Sequence, residues 1–529
     1  MMAGGKNTHP RQPWQRSDFF QRNYTGAPLI NESKSRNEFK SHIPWIPLAA
    51  ALGAGLALRL FFLFKYSSGS VDGAIYESMG HNLFAHGTYG LDAAGRITAS
   101  NIRVPGYPIF TAFFHLFGRG QTPLLLAQIA LDLCTCVLAG ALAGLLAPAS
   151  LSGQARRRVQ IAAVWLAALC PFLADYAAVN LTEVLATFLT AIALVALTAA
   201  ALGNETLSWR LLLNGSDELN SSRGKNSSFL RNSWFVGGLA VGCGAMVRPE
   251  TPLILVALGL VLGLKWWRPA DWPKLFRACA FAAVGLLIPI IPWTARNAIS
   301  LHEFQPLAPR YAQAPGESVA TGLYAWTNTW LVRYRDVDQT IWTIGDSPVT
   351  MAVFPSIAFD SDDERRRVSA LIDQYNAACC DFSPQWNAQF VELARERTAR
   401  HPLRTYVTVP FQRALTLWFT PRVEMMGYTG SLWPLHENYE DDPEGYCVGV
   451  LLEAIGIIYL ALAFAGTAKI FLKHLIAGPQ MWGVTFLIAF CILRTAFLTH
   501  VEAPEPRYVL ECFPVIYVLG AFWWARKTD

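Results

Sequence analysis

Six short polar stretches interrupt an otherwise apolar chain, and each holds an acid, an arginine or both. The first runs Asp72-Gly73-Ala74-Ile75-Tyr76-Glu77. Residues four apart share one face of a helix, so Asp72 and Tyr76 point the same way. In the second, Arg103 stands just before Pro105-Gly106-Tyr107-Pro108, at the head of an apolar stretch over 109–117. A guanidinium in that place suits an anion. The third is Asn180-Leu181-Thr182-Glu183 and the fourth Arg248-Pro249-Glu250. The fifth is Pro292-Trp293-Thr294-Ala295-Arg296-Asn297, and the sixth leads from His500 to Pro506-Arg507-Tyr508. Each has a plain structural reading beside the chemical one. Asp72 suits a helix N-cap, Glu183 a charge at a helix N-terminus, and Arg103 an interfacial anchor. Arg248 and Glu250 suit either a water-facing turn or an ionisable pair at membrane depth, which is costly enough to suggest function.

No Ser/His/Asp set for covalent catalysis stands out, and the ten cysteines are scattered. Cys134-Thr-Cys136 lacks the partner pair of a zinc site. Cys379, Cys380 and Cys447 leave a disulfide open. The net charge is +5 and no basic stripe is interleaved with aromatics, so nucleic-acid binding is unsupported.

The elements that must position these residues are membrane helices. Charged residues make up 15% of the chain, against about 25% in soluble domains. Hydrophobic residues make up 53%, and the 18 Trp suit a protein with two membrane interfaces. A spanning helix needs about 20 apolar residues. The candidates are 43–64, 123–146, 161–179, 184–202, 275–293, 448–471, 480–498 and 508–524. A ninth stretch, 234–264, is interrupted at Arg248-Pro249-Glu250 and reads as two short helices. Lys and Arg in short loops set the orientation. The polar tail 1–42, Arg156-Arg157-Arg158, the loop 204–233, Lys265 to Arg277, Lys469 with Lys473, and Arg526-Lys527 all fall on one side. That side is read as cytoplasmic, with both termini on it, so the glycosylation sequons of 204–233 stay unmodified. The chain then divides into the tail 1–42, a core 43–300 with an outer loop 65–122, an outer polar region 301–446 and C-terminal spans 447–529. Within the outer region, 403–419 is amphipathic and reads as interfacial. Arg296 and Arg507 lie on the outer side, against the charge bias, which favours a phosphate partner.

Together and in this order, Asp72-x-x-x-Tyr76-Glu77, Arg103 with Pro105-Gly106-Tyr107-Pro108, Thr182-Glu183, Pro292-Trp293-x-x-Arg296-Asn297 and Pro506-Arg507-Tyr508 resemble the polyprenyl-phosphate-sugar-dependent glycosyltransferases. That group holds the protein O-mannosyltransferases and the aminoarabinose transferases of lipid A. The resemblance covers residues 43–300 and 480–525, and nothing in 301–446. It implies an all-α integral membrane protein, a GT-C-type bundle of about 10–13 transmembrane helices with outer-surface amphipathic helices. It implies Asp72 as catalytic base and Glu183 as a second acid. Tyr76 and Arg103 would sit at the donor phosphate, with Arg248, Arg296 and Arg507 as further phosphate ligands. Glu77, Tyr107, Glu250 and Tyr508 complete the candidates. The implied donor is a polyprenyl-phosphate lipid carrying one sugar. The implied acceptor is a hydroxyl of a protein, lipid or glycan at the outer face of a bacterial inner membrane. Transfer would invert the anomeric carbon and need neither metal nor cofactor. One departure stands out: the aminoarabinose branch has a basic residue before the Tyr, and here it is Ile75, so the donor headgroup or its phosphate contacts differ. Two other readings fit the same residues: a ligase or polymerase using a diphosphate-linked glycan, and a multi-pass transporter or flippase.

Overall fold

The computed structural model describes residues 45–526 except 67–68, 94, 119, 149, 205–228, 312–317, 346, 429, 431, 434 and 477. The tail 1–42 and most of the loop 204–233 lie outside the described residues. From His42 onward the chain forms one compact unit.

The chain enters with α1 (Trp45–Lys65). Next come α2 (Val71–His86), the antiparallel hairpin of β1 (Gly90–Ala93) and β2 (Arg96–Ala99), and α3 (Gly106–Phe114). Then follow α4 (Thr122–Leu146), α5 (Gly153–Ala168), α6 (Pro171–Tyr176), α7 (Glu183–Ala201), α8 (Ser233–Ala245), α9 (Leu253–Lys265) and α10 (Trp272–Ser300). The region 301–446 supplies α11 (Thr321–Thr327), α12 (Tyr334–Thr340), α13 (Asp362–Ala377), α14 (Pro384–Arg400), α15 (Val409–Trp418) and α16 (Leu435–Asp441). The chain closes with α17 (Pro443–Leu472), α18 (Pro479–Leu498) and α19 (Phe513–Ala521). The fold is an all-α integral membrane protein. Among the described residues, six helices are long and apolar enough to cross a membrane: α1, α4, α7, α10, α17 and α18.

Two expected spans are broken. The stretch 161–179 divides between α5 and α6, because Pro171 has no N–H to continue the helix. The stretch 508–524 begins as a 3-10 run, Pro506–Cys512, before α19. Pro514 has no N–H for the Leu510 carbonyl, and that carbonyl takes the Phe513 N–H instead. Both breaks leave polar backbone where side chains can gather.

The loop 65–122 is tied down by close backbone approaches. Ser70 caps α2 by accepting the Gly73 N–H at 2.9 Å, so Asp72 is free of the capping role. A Cβ on Gly73 would stand 2.5 Å from the Asn180 carbonyl oxygen. A Cβ on Gly106 would stand 2.4 Å from the Met246 carbonyl oxygen, which accepts the Gly106 N–H. Glycine at these two positions lets this loop seat on the ends of the bundle helices.

The region 301–446 has its own core, packed around Trp326, Trp330, Tyr375, Trp386 and Phe390. Buried Arg397 pairs there with Glu364 at 2.7 Å. The segment 403–419 is a π-helical turn, Arg404–Thr408, running into α15. Val409, Arg413 and Leu417 face inward, while Leu403, Tyr406, Phe411 and Leu415 are exposed. All ten cysteines are free thiols, Cys379, Cys380 and Cys447 included.

Candidate functional site

Five of the six polar stretches meet around one cavity of about 1040 Å³. Asp72, in the first turn of α2, is held from two sides. Arg103 donates to its Oδ1 at 3.0 Å and Arg507 to its Oδ2 at 3.2 Å. Burial raises the Asp72 pKa. The Arg507 and Arg103 charges outweigh it, so the carboxyl titrates below its ordinary range. It is ionised at neutral pH, and 32% of its side chain still meets the cavity.

Arg507 also reaches Glu505 at 2.5 Å and Glu183 at 3.5 Å. Glu183 pairs with Arg248 at 2.5 Å. Arg248 donates to Thr182 Oγ1 at 3.2 Å and lies 4.9 Å over the Tyr508 ring. Tyr508 donates its hydroxyl to Glu505. Deeper, Arg494 meets Glu511 at 2.6 Å and Glu250 at 3.1 Å. Acids and guanidiniums therefore alternate from Asp72 inward to Glu511. Alternation keeps so many buried charges tolerable, since each carboxylate has a cationic partner. The helix breaks make room for them: Arg248 and Glu250 sit in the turn between α8 and α9, and Arg507 and Tyr508 in the 3-10 run before α19.

Tyr76, one turn beyond Asp72, lines the same wall. Burial pushes its phenol up to about 12, so it remains a neutral hydrogen-bond donor. The facing wall comes from the region 301–446, where Tyr311, Tyr324, Trp342 and Phe382 line the cavity. Arg310 pairs with Glu502 at 2.5 Å on that side.

Not every candidate reaches the cavity. Glu183 lies behind the wall, 2% exposed, and supports Arg248 and Arg507 instead of facing the opening. Tyr107 is fully buried beneath α2, where its hydroxyl meets Gln128 and Asn180. Glu77 is turned outward by the helix period and accepts from Gln121 at 2.6 Å. Arg296 is used up by the hairpin: it donates to the Ser100 and Tyr89 carbonyls and lies against the Tyr89 and Trp293 rings. Its guanidinium secures the loop 65–122 and stands outside the cavity lining.

Sequence reasoning passed over Glu505, Arg494 and Glu511. Glu505 stands two residues before Arg507, inside a stretch already marked. Arg494 and Glu511 lay within apolar runs read as spans, where an ionisable residue is itself a signal. Among the described residues, no group of three His, Cys, Asp or Glu side chains could hold a metal ion.

No family model matches the chain. No curated protein matches it. Among solved structures, it is similar to the archaeal oligosaccharyltransferase AglB from Archaeoglobus fulgidus, in complex with an inhibitory peptide and a dolichol-phosphate. That match has 12% identity and a TM-score of 0.44, covering 90% of this chain and 49% of that one. This chain thus spans about half the length of that structure. It is also similar to ArnT from Cupriavidus metallidurans bound to undecaprenyl phosphate, with 15% identity and a TM-score of 0.37. There the match covers 91% of this chain and 78% of that one.

Proposed function

We propose that the protein is a GT-C-type glycosyltransferase that moves one sugar from a polyprenyl-phosphate lipid to an acceptor hydroxyl at the outer face of the membrane. The observation that carries this reading is the Asp72 carboxylate shared between Arg103 and Arg507 at the wall of a large polar cavity. The arrangement joins a base to two phosphate-binding groups in one contact.

Without donor, the two guanidiniums engage Asp72 and lower its basicity. A donor phosphate arriving at Arg103 and Arg507 competes for the same N–H groups. Asp72 then loses cationic partners, its pKa rises, and it becomes a better proton acceptor. The acceptor oxygen attacks the anomeric carbon, its proton passes to Asp72, and the bond from that carbon to the phosphate oxygen breaks. The electron pair stays on the departing lipid phosphate, where the arginines stabilise the charge. A single displacement inverts the anomeric carbon. A phosphate monoester leaving group held by two guanidiniums needs no metal, so the reaction is proposed to be metal-independent. Glu183 acts by holding Arg248 and Arg507 in place.

The test is transfer from a labelled polyprenyl-phosphate sugar by the purified protein in liposomes. Asp72→Asn keeps the shape and removes the base, and a loss of about 10²-fold or more is expected. Transfer near the wild-type rate would remove Asp72 from the chemistry. Arg103→Ala should weaken donor binding, and unchanged affinity sinks its assignment. Impermeant labelling of a cysteine placed at Arg96, on the hairpin, tests the outer location.

A further inference from the structure

The wall that the region 301–446 gives to the cavity has a chemistry of its own. Trp342 lines it from the turn after α12 and stays 40% exposed. Tyr311 and Tyr324 line it as a tilted pair, ring centroids 5.9 Å apart. Arg310 lies 5.2 Å over the Tyr311 ring and pairs with Glu502. Phe382 completes the rings, stacked on Trp386 at 5.6 Å.

These rings are set in place by the protein itself. Cys379 and Cys380 both have positive φ, 53° and 69°. Residues other than glycine seldom adopt that conformation, and such outliers gather at ligand clamps. The two turn the chain after α13, and Asp381 and Phe382 reach the cavity. Asp381 is exposed there and accepts the Phe382 N–H at 2.8 Å. Tyr375 ties this turn to the one after α12. Its hydroxyl accepts the Gly345 N–H at 2.7 Å and donates to the Ser347 carbonyl at 3.0 Å.

We infer that the acceptor hydroxyl belongs to a saccharide, held on the Trp342, Tyr311 and Phe382 rings in the same cavity as Asp72. A pyranose has apolar C–H faces that pack on aromatic rings. Its hydroxyls project from the rim and suit charged hydrogen-bonding groups, which Asp381, Glu502 and Arg310 supply among the rings. A lipid tail would leave those charges without partners. An extended peptide is commonly held along a sheet edge, and neither strand among the described residues lines the cavity. The cavity, at about 1040 Å³, exceeds the range of about 300–1,000 Å³ for small-molecule pockets. A donor sugar at Asp72 therefore leaves room for a second occupant. That the saccharide is an acceptor rests on the transferase reading; its binding to these rings does not.

Saturation-transfer NMR on the purified full-length protein, in a detergent without a sugar headgroup, tests it. The probes are cellobiose, mannobiose and N,N′-diacetylchitobiose, with a threonine-containing peptide beside them. At least one disaccharide should receive saturation, strongest at the C–H protons of one ring face. Trp342→Leu should weaken its binding about tenfold, and Trp342→Phe, which keeps a ring, should restore most of it. Trp267→Leu, at an exposed ring outside the cavity lining, should change nothing. No saturation of any disaccharide overturns the proposal, and binding of the peptide alone would make the acceptor a protein. Undiminished binding in Trp342→Leu overturns it too. So does displacement of the disaccharide by the polyprenyl-phosphate sugar, which would give the rings to the donor. The assay needs neither donor nor turnover, so its failure is distinct from that of the transferase reading. If no disaccharide binds while Asp72→Asn abolishes transfer, only the saccharide acceptor is lost. If a disaccharide binds while Asp72→Asn transfers normally, the proposed base is lost instead.

Discussion

Two buried acid–arginine assemblies use the same side chains to opposite ends. In the bundle, Arg59 of α1 pairs with Asp132 of α4 at 2.7 Å, both essentially inaccessible. Its guanidinium also donates to the carbonyls of Gly55, Ala168 and Ala167. Nothing remains for a ligand, so the pair works as a fastener between α1, α4 and the end of α5. At the cavity, Arg103 makes one ion pair with Asp72, and its Nε lacks a hydrogen-bond partner. Asp72 keeps part of its surface open. Saturation distinguishes the two pairs, and residue type alone does not.

Substitution of the two aspartates makes the sharpest contrast. Asp72→Asn should cost about 10²–10⁴-fold in transfer while melting close to wild type. Asp132→Asn leaves Arg59 buried without its counter-charge and should cost about 3–5 kcal/mol of stability. Its folded fraction should still transfer sugar. If Asp72→Asn unfolds the protein and Asp132→Asn abolishes transfer in well-folded protein, the two assemblies have been assigned the wrong way round.

Glu505 sharpens the contrast from inside the cavity. It reaches Arg507 at 2.5 Å and accepts the Tyr508 hydroxyl, so it sets where the guanidinium points. Hydrogen bonds to charged groups contribute about 1.5–3 kcal/mol. Glu505→Gln should therefore weaken polyprenyl-phosphate binding by about ten- to a hundredfold, with a smaller change in kcat. Tighter donor binding in this variant would mean that Glu505 competes with the phosphate and does not position Arg507.

The pH dependence follows from the same open pair. In the free protein, burial opposes ionisation of Asp72, and Arg507 and Arg103 more than offset it, leaving a lowered pKa. Those ion pairs stabilise the fold above the ordinary carboxylate range and are lost as pH falls through the lowered value. On the proposed mechanism activity needs the ionised base, so it too should fall toward acid. On that mechanism a bound donor draws the arginines to its phosphate and the Asp72 pKa should rise. The acid limb of kcat should therefore lie at higher pH than that of kcat/KM, since the first reports the complex and the second the free protein. Coincident limbs would show that the arginines keep Asp72 throughout.

How much of this was legible in the sequence depended on what each residue touches. Hydropathy gave α1, α4, α7 and α18 to within two residues at each end and found α10 and α17 but cut them short, because lipid imposes a simple length rule. It failed at 161–179 and 508–524, where Pro171 and Pro514 break hydrogen bonding inside apolar runs. The spacing of Asp72, Tyr76, Arg103, Arg248 and Arg507 carried them to one cavity wall. Glu77 and Tyr107 come from the same motifs and went elsewhere, because helix period and burial separate neighbours in sequence. The packed helices of 301–446 were unreadable. Their core forms between segments far apart in the chain, as in the tilted contact of Trp326 with Phe390. Arg494 and Glu511 were overlooked although a charge inside a span is itself informative.

Arg296 provides the gentlest test, because it lies between the two classes. Like Arg103 it belongs to one of the polar motifs, yet like Arg59 it donates to backbone carbonyls, those of Ser100 and Tyr89, and also to the Asn297 side chain. Arg296→Gln should leave at least one carbonyl unpaired and cost about 1–3 kcal/mol in stability. Donor affinity of the folded variant should stay at the wild-type value. Glu77→Gln, whose side chain accepts only from exposed Gln121, should change stability by no more than about 0.5 kcal/mol and leave transfer intact. A selective loss of donor affinity in Arg296→Gln, without a change in melting, would move that arginine from fastener to phosphate ligand. Counting the bonds a guanidinium already makes would then be a poor guide to which arginines do chemistry.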